Sequence, residues 1–170
     1  AWGTFLGNFS CNYAYYFLLT WLPSYLVNER HVSVRKMAVL GSLPFVASAA
    51  TSIFGGWSSD RWIQRGASPT RVRKTFVVSG LLLSTLMLPS AVVNDLTVSM
   101  ALLIAAYCAF GLFSSNHWAI TQTLAGPTAA GKWTGLQNFC ANCAGVTAPY
   151  ITGLIVSKTG SYYMAFLSAS

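Results

Sequence analysis

Five stretches without a single charged side chain, residues 1–28, 37–59, 75–94, 96–131 and 133–157, constrain the fold of this chain more than anything else in it. Each meets or exceeds the roughly 20 residues that a helix needs to cross the hydrocarbon core of a bilayer. A sixth begins at residue 159 and runs to Ser170. Charged side chains make up 8% of the 170 residues, where a soluble domain carries about 25%. Buried helices of a soluble protein keep a polar stripe for water, and these stretches are not striped that way. The chain therefore reads as an all-α membrane protein. Five complete transmembrane helices are expected over about 4–26, 37–57, 75–94, 98–124 and 133–156, with a truncated sixth over 161–170.

The charges that remain fall in the connections. A net charge of +7 would suggest nucleic acid if it lay on a folded surface, but here its expected partners are lipid headgroups. The longest connection, the loop 58–74, holds Arg61, Arg65, Arg71, Arg73 and Lys74 against Asp60, and Lys132 falls on the same side two crossings later. Against these stand Arg30, Arg35, Lys36 and Lys158, so the positive-inside rule makes the 58–74 side cytoplasmic. Odd-numbered spans then run outward. Tight turns are expected at Asn94–Asp95, around Gly126-Pro127 and over 157–160. The N-terminus shows no signal-peptide pattern, so the first helix is expected to be a true span of a chain cut at both ends.

Composition also separates the spans. The first ends in Trp21-Leu22-Pro23-Ser24-Tyr25, with two aromatics suited to the headgroup level. The second is rich in Ala, Ser and Gly, which let membrane helices approach closely, and is expected to pack inside the bundle. Cys11, Cys108, Cys140 and Cys143 all lie in apolar stretches without a second ligand pair, so they read as small packing residues and not as zinc ligands or disulfides.

Polar side chains inside a bilayer are costly unless partnered, so their register is informative. In the first span Asn8, Asn12, Tyr16 and Thr20 recur every four residues and form one stripe. In the fourth, Gly111, Ser114, Trp118 and Gln122 share a face. In the fifth, Gly131, Gly135, Asn138, Asn142, Gly145 and Pro149 form one seam, which Pro149 is expected to bend. Each residue taken singly could simply tie helix to helix. Three stripes that combine amides with Trp and Tyr faces are what a cavity for a polyhydroxylated or carboxylated small molecule requires. His117 is the one titratable side chain expected at depth and a candidate for coupling to protons. No carboxylate, Arg or Lys lies within the spans, no arrangement suggests catalysis, and no cofactor or metal is implied.

The run Gly55-Gly56-Trp57-Ser58-Ser59-Asp60-Arg61-Trp62-Ile63-Gln64-Arg65-Gly66 resembles the loop motif of the major facilitator superfamily, with Gly56, Asp60, Arg61 and Arg65 as its conformational residues. Asp60 could pair with Arg61 or with a neighbouring helix as a charge latch, or could simply anchor the topology. Asn12 to Tyr16 followed by Thr20-Trp21-Leu22-Pro23-Ser24-Tyr25-Leu26 looks like the seventh span of the anion:cation symporters, and Leu43-Pro44 also fits. The resemblance covers about Phe5 to Phe166. It implies a partial major-facilitator bundle, the C-terminal half of a twelve-span carrier; the alternative placement is spans one to five.

Carried over by position, the substrate contacts would be Tyr16, Ser114, Trp118 and Asn138. Asn12 and Asn142 stand beside them on the same stripes. Asn116-His117 beside Trp118, and Asn142 itself, depart from the family pattern and leave substrate identity open. The resemblance implies a symporter of sugar acids or other organic anions with protons, in a plasma (inner) membrane. The substrate's countercharge and the proton-binding carboxylates would come from the missing N-terminal half. The competing expectation is a non-transporting membrane subunit or a small membrane enzyme.

Overall fold

The computed structural model describes residues 2–160 and 162–169, and every regular element among them is a helix. Three helical stretches are long and apolar enough to cross a membrane: Val34–Gln64, Pro69–Val92 and Leu96–Thr159. Helix α1 (Trp2–Ser24) has sufficient length, but Asn8, Ser10, Asn12 and a group of tyrosines interrupt its apolar character. It closes in one π turn, Tyr25–Glu29, where the Arg30 N–H reaches the Tyr25 carbonyl at 3.2 Å. Pro23, unable to donate to the Leu19 carbonyl, immediately precedes this wider turn. Tyr25 is buried there and its hydroxyl accepts from Arg30 Nε at 2.7 Å. It is an internal contact, where the sequence suggested a headgroup anchor.

Helix α2 (Val34–Gln64) runs well past its apolar stretch, and α3 begins at Pro69 (Pro69–Ser84). Only residues 65–68 between them are non-helical, so most of the expected 58–74 connection consists of helix ends. Charged residues there stay helical because the backbone ladder does not depend on the polarity of exposed side chains. Gly66, at φ 93°, closes α2 in the left-handed conformation, with the Ala67 N–H reaching the Trp62 carbonyl at 3.4 Å. Pro69 is pre-organised for a first turn.

The third apolar stretch is interrupted at residues 85–86 before α4 (Met87–Val92). Pro89 cannot donate to the Thr85 carbonyl, which takes the Leu88 N–H at 2.9 Å instead. Asp95 Oδ1 then accepts the Val98 N–H at 2.8 Å and opens α5 (Leu96–Asn142). At 47 residues α5 would be about 70 Å long if unbroken, more than twice a hydrocarbon core. It breaks at Gly126, whose φ 71° and ψ 170° are non-helical, directly before Pro127.

After Asn142 a single irregular turn at Cys143, with i→i+3 bonds on both sides, leads into α6 (Ala144–Thr159). The irregularity thus lies ahead of Pro149, which is helical inside α6. Its lost hydrogen bond falls on Gly145, in the first turn of that helix. Helix α7 (Tyr162–Ala169) follows the left-handed Gly160. Residues 161 and 170, the ends of the expected sixth span, lie outside the described residues.

The chain divides into two compact units: Ala1–Gly41 with Pro127–Ser170, and Ser42–Gly126. In the first, α1 packs along α6 and touches α7. In the second, α5 around Ala109–Phe113 approaches α2 and α3 at backbone distance. A Cβ on Gly111 would collide with Thr51 Oγ1 and the Ser48 carbonyl, and one on Gly80 would lie 2.8 Å from the Ala109 carbonyl. Among the described residues, this is the closely packed face of α2. Val46, Ile53, Phe54 and Trp57 on its other faces are exposed, because its small residues serve one contact and its bulky apolar ones suit lipid.

Candidate functional site

The first unit brings three of the expected site residues into one hydrogen-bonded chain. The Tyr16 ring lies over Gly145, where an added Cβ would be 3.2 Å from Tyr16 Cζ. The Tyr16 hydroxyl donates to Asn142 Oδ1 at 2.5 Å. Asn142 Nδ2 in turn donates to the Asn138 carbonyl at 2.8 Å and to Asn138 Oδ1 at 3.1 Å. The phenol therefore fixes the orientation of one carboxamide, which fixes that of the next. Tyr16 is half-buried and both asparagines are exposed, so the amide edges stay open to a ligand. Asn12, half-buried, does not join this chain. Its Nδ2 donates to the Asn8 carbonyl at 2.9 Å and to Asn8 Oδ1 at 3.2 Å.

Ser114 and Trp118 lie in the second unit, on α5, both half-buried. Their stripe grades from Gly111, packed against α2, to the exposed Gln122. His117 is buried and stacks on Phe113 with ring centroids 5.1 Å apart, its edge meeting Trp118 at 5.6 Å. At the end of α2, Asp60 faces Arg73 on α3 at 3.9 Å. Of the two partners expected for Asp60, it is the neighbouring helix that approaches. Arg61 instead lies over the Trp57 ring at 5.5 Å, Arg65 is exposed, and Gly56 is half-buried.

The polar residues that were not singled out as contacts are the most buried ones. Asn116, Thr121, Gln137 and Thr152 are each at most 1% exposed. Gln137 Nε2 donates to the Thr4 carbonyl at 3.2 Å across to α1. Its only signal in the sequence is an amide within an apolar span beside Asn138, which gives no hint that it faces another way. The four cysteines are free thiols, and no cluster of metal-ligating side chains occurs among the described residues.

The sequence model of the Major Facilitator Superfamily matches residues 4–170. The chain is similar to a D-galactonate transporter of Escherichia coli O6:H1, 31% identical over 93% of this chain and 36% of that protein. It is also similar to a hexuronate transporter of Bacillus subtilis, 34% identical over 95% of this chain and 39% of that protein. A probable galactarate/D-glucarate transporter of Escherichia coli K12 is 32% identical over 97% of this chain and 37% of its own length. The chain thus spans well under half the length of these relatives.

Proposed function

From the chain's membership of the major facilitator superfamily, we propose that it is the C-terminal half of a secondary transporter for a small organic anion. The anion is a sugar acid or related carboxylate, carried with a proton by alternating access around a midplane site. The chain is an integral membrane protein and not an enzyme, in keeping with its family and with the transporters to which it is similar. We place it in the plasma membrane with the α2–α3 connection on the cytoplasmic side.

The observation that carries this reading is the Tyr16–Asn142–Asn138 chain, which holds two carboxamides in fixed orientation on an open face. A sugar acid presents hydroxyls that both donate and accept, and a pre-oriented carboxamide meets both needs at little ordering cost. The names of the relatives point to the same substrate class. The resemblance adds Ser114 and Trp118 as contacts, Asn12 as a neighbour on the α1 stripe, and His117 as a coupling candidate.

The five-span topology draws support from the direction of α1. Its residues Phe5, Tyr16 and Trp21 meet Trp133, Gly145 and Gly153 in that order. The first and last of these helical stretches therefore run the same way, as two spans separated by three others do. The remaining half of the carrier would supply the countercharge for the anion and the acidic groups that bind the proton.

Uptake into proteoliposomes containing the full-length carrier, with a panel of sugar acids and an imposed pH gradient, tests the proposal. Proton-driven accumulation of at least one sugar acid is expected. Its absence across the panel removes the reading.

A further inference from the structure

Among the described residues, α1 is tied to the stretch 127–142 by the Tyr16–Asn142 bond between candidate substrate contacts and also by a bond away from them. The other joins Gln137 Nε2 to the Thr4 carbonyl. Gln137 is fully buried at 0% exposure. One helical turn before it, Trp133 meets Phe5 edge-on with centroids 5.7 Å apart. Thr4 and Phe5 are consecutive on α1, so Gln137 and Trp133 grip the same point of that helix.

A carboxamide is an expensive choice for so closed a position. Leucine or methionine would fill the same volume without a polar group to satisfy. What an amide adds is a directional bond, and a directional bond fixes register. Apolar contacts allow one helix to slide or rotate on another, whereas a buried donor held to a backbone carbonyl of the facing helix resists both. The acceptor is a backbone oxygen, so the bond reports the axial position of α1 itself and not the rotamer of a side chain.

That register matters further along the same helix pair. Tyr16 must lie over Gly145 for its hydroxyl to reach Asn142. A rotation or slide of α1 by a fraction of a residue breaks a 2.5 Å bond. We infer that Gln137 is a positioning residue: its bond to the Thr4 carbonyl sets the register of α1 on the 127–142 helix and so holds Tyr16 against Asn142. The functional consequence rests on the proposed role of Tyr16 and the asparagines in substrate binding; the register itself does not.

The experiment uses the full-length carrier in membranes and has two arms. In a cysteine-free background, the pair Tyr16→Cys and Asn142→Cys is cross-linked with a short bifunctional methanethiosulfonate. Adding Gln137→Met should slow cross-linking about fivefold, while each single cysteine reacts with a monofunctional reagent at its former rate. An unchanged cross-linking rate overturns the inference whatever transport does. Gln137→Asn, one methylene too short to reach Thr4, gives the same reading if the methionine variant is not recovered in membranes.

In the second arm, Gln137→Met should raise the KM for the transported sugar acid with kcat retained. Its effect should not add to that of Tyr16→Phe, because both disrupt one arrangement. Full additivity means that Gln137 acts independently of Tyr16 and overturns the inference. If cross-linking slows but neither Gln137→Met nor Asn138→Ala alters KM, the register role stands and the substrate-binding reading falls.

Discussion

The helix contacts of the two units are built from opposite materials. Around Gly111, α5 meets α2 backbone to backbone, and Thr51, the nearest polar side chain, turns its hydroxyl back onto its own helix at the Ala47 carbonyl, 2.9 Å away. Around Gly145, α1 meets the fifth apolar stretch through a phenol ring, whose hydroxyl continues into two exposed amides. In membranes small residues give close van der Waals contact and polar ones give directional bonds. The first contact leaves nothing for a ligand to use, and the second leaves donors and acceptors on an open edge. The first suits close packing of helices, and the second a face that a ligand can read.

The largest expected effect breaks the packed contact. Gly111→Ala places a methyl group on the Thr51 hydroxyl, on the Ser48 carbonyl and 3.0 Å from the Ser52 nitrogen, and the last two are backbone atoms that cannot step aside. Overpacking costs about 1–3 kcal/mol and occasionally more, and a clash with backbone on the facing helix belongs at the upper end. The variant should be lost from membranes or show a sharply lower unfolding temperature in detergent. Gly56→Ala is the matched control, since its new methyl would lie 3.8 Å from Ser115 Cβ, an ordinary contact, and stability should hold. Equal losses in both variants would mean that the close approach at Gly111 is not what holds α2 to α5.

The next effect tests the open contact. Asn138→Ala removes an exposed carboxamide that supports no other helix, so the protein should accumulate normally while the KM for the transported sugar acid rises about tenfold, or about 1.4 kcal/mol. A fall in expression with unchanged KM would make Asn138 a packing residue like Gly111. Tyr16→Phe should follow at about fivefold, because it keeps the ring on Gly145 and removes only the hydroxyl that orients Asn142. Trp118→Ala is expected to behave as Asn138→Ala does, with normal membrane levels and weakened affinity.

The contrast between the two contacts was only half legible in the sequence. Charge-free runs locate the helices, and Gly126-Pro127 marks the break in α5, because backbone chemistry acts locally. Periodicity also put Tyr16 on one polar stripe and Asn138 and Asn142 together on another. It could not distinguish Gly111, wedged against α2, from Gly131, which has nothing within 4 Å, since both read as one small residue in an apolar run. Nor could it separate Asn138 from its neighbour Gln137. One amide is open and the other bonds a backbone carbonyl 133 residues away in sequence, and a backbone acceptor leaves no trace in a side-chain pattern. The same blindness hid the helical continuation through Asp60 and Arg61, where polarity suggested a loop.

The smallest expected effect concerns those helix ends and separates a latch from an anchor. Asp60 and Arg73 stand 3.9 Å apart with the Asp60 side chain 65% exposed, a separation beyond hydrogen-bonding distance. Such a pair contributes at most about 0.5 kcal/mol to stability, so Asp60→Asn should leave the unfolding temperature within error of the parent. If the pair favours one conformation of the carrier over the other, a shift of that size still alters the populations about twofold. Exchange and net uptake should then change in ratio while the KM measured under exchange stays fixed. A topological anchor predicts a different result: a substitution that removes the one acidic residue of a strongly basic connection leaves both rates unchanged. Charge reversal at Arg73 in the Asp60→Lys background, restoring a pair of opposite polarity, should return the parental ratio only if the two side chains act on each other.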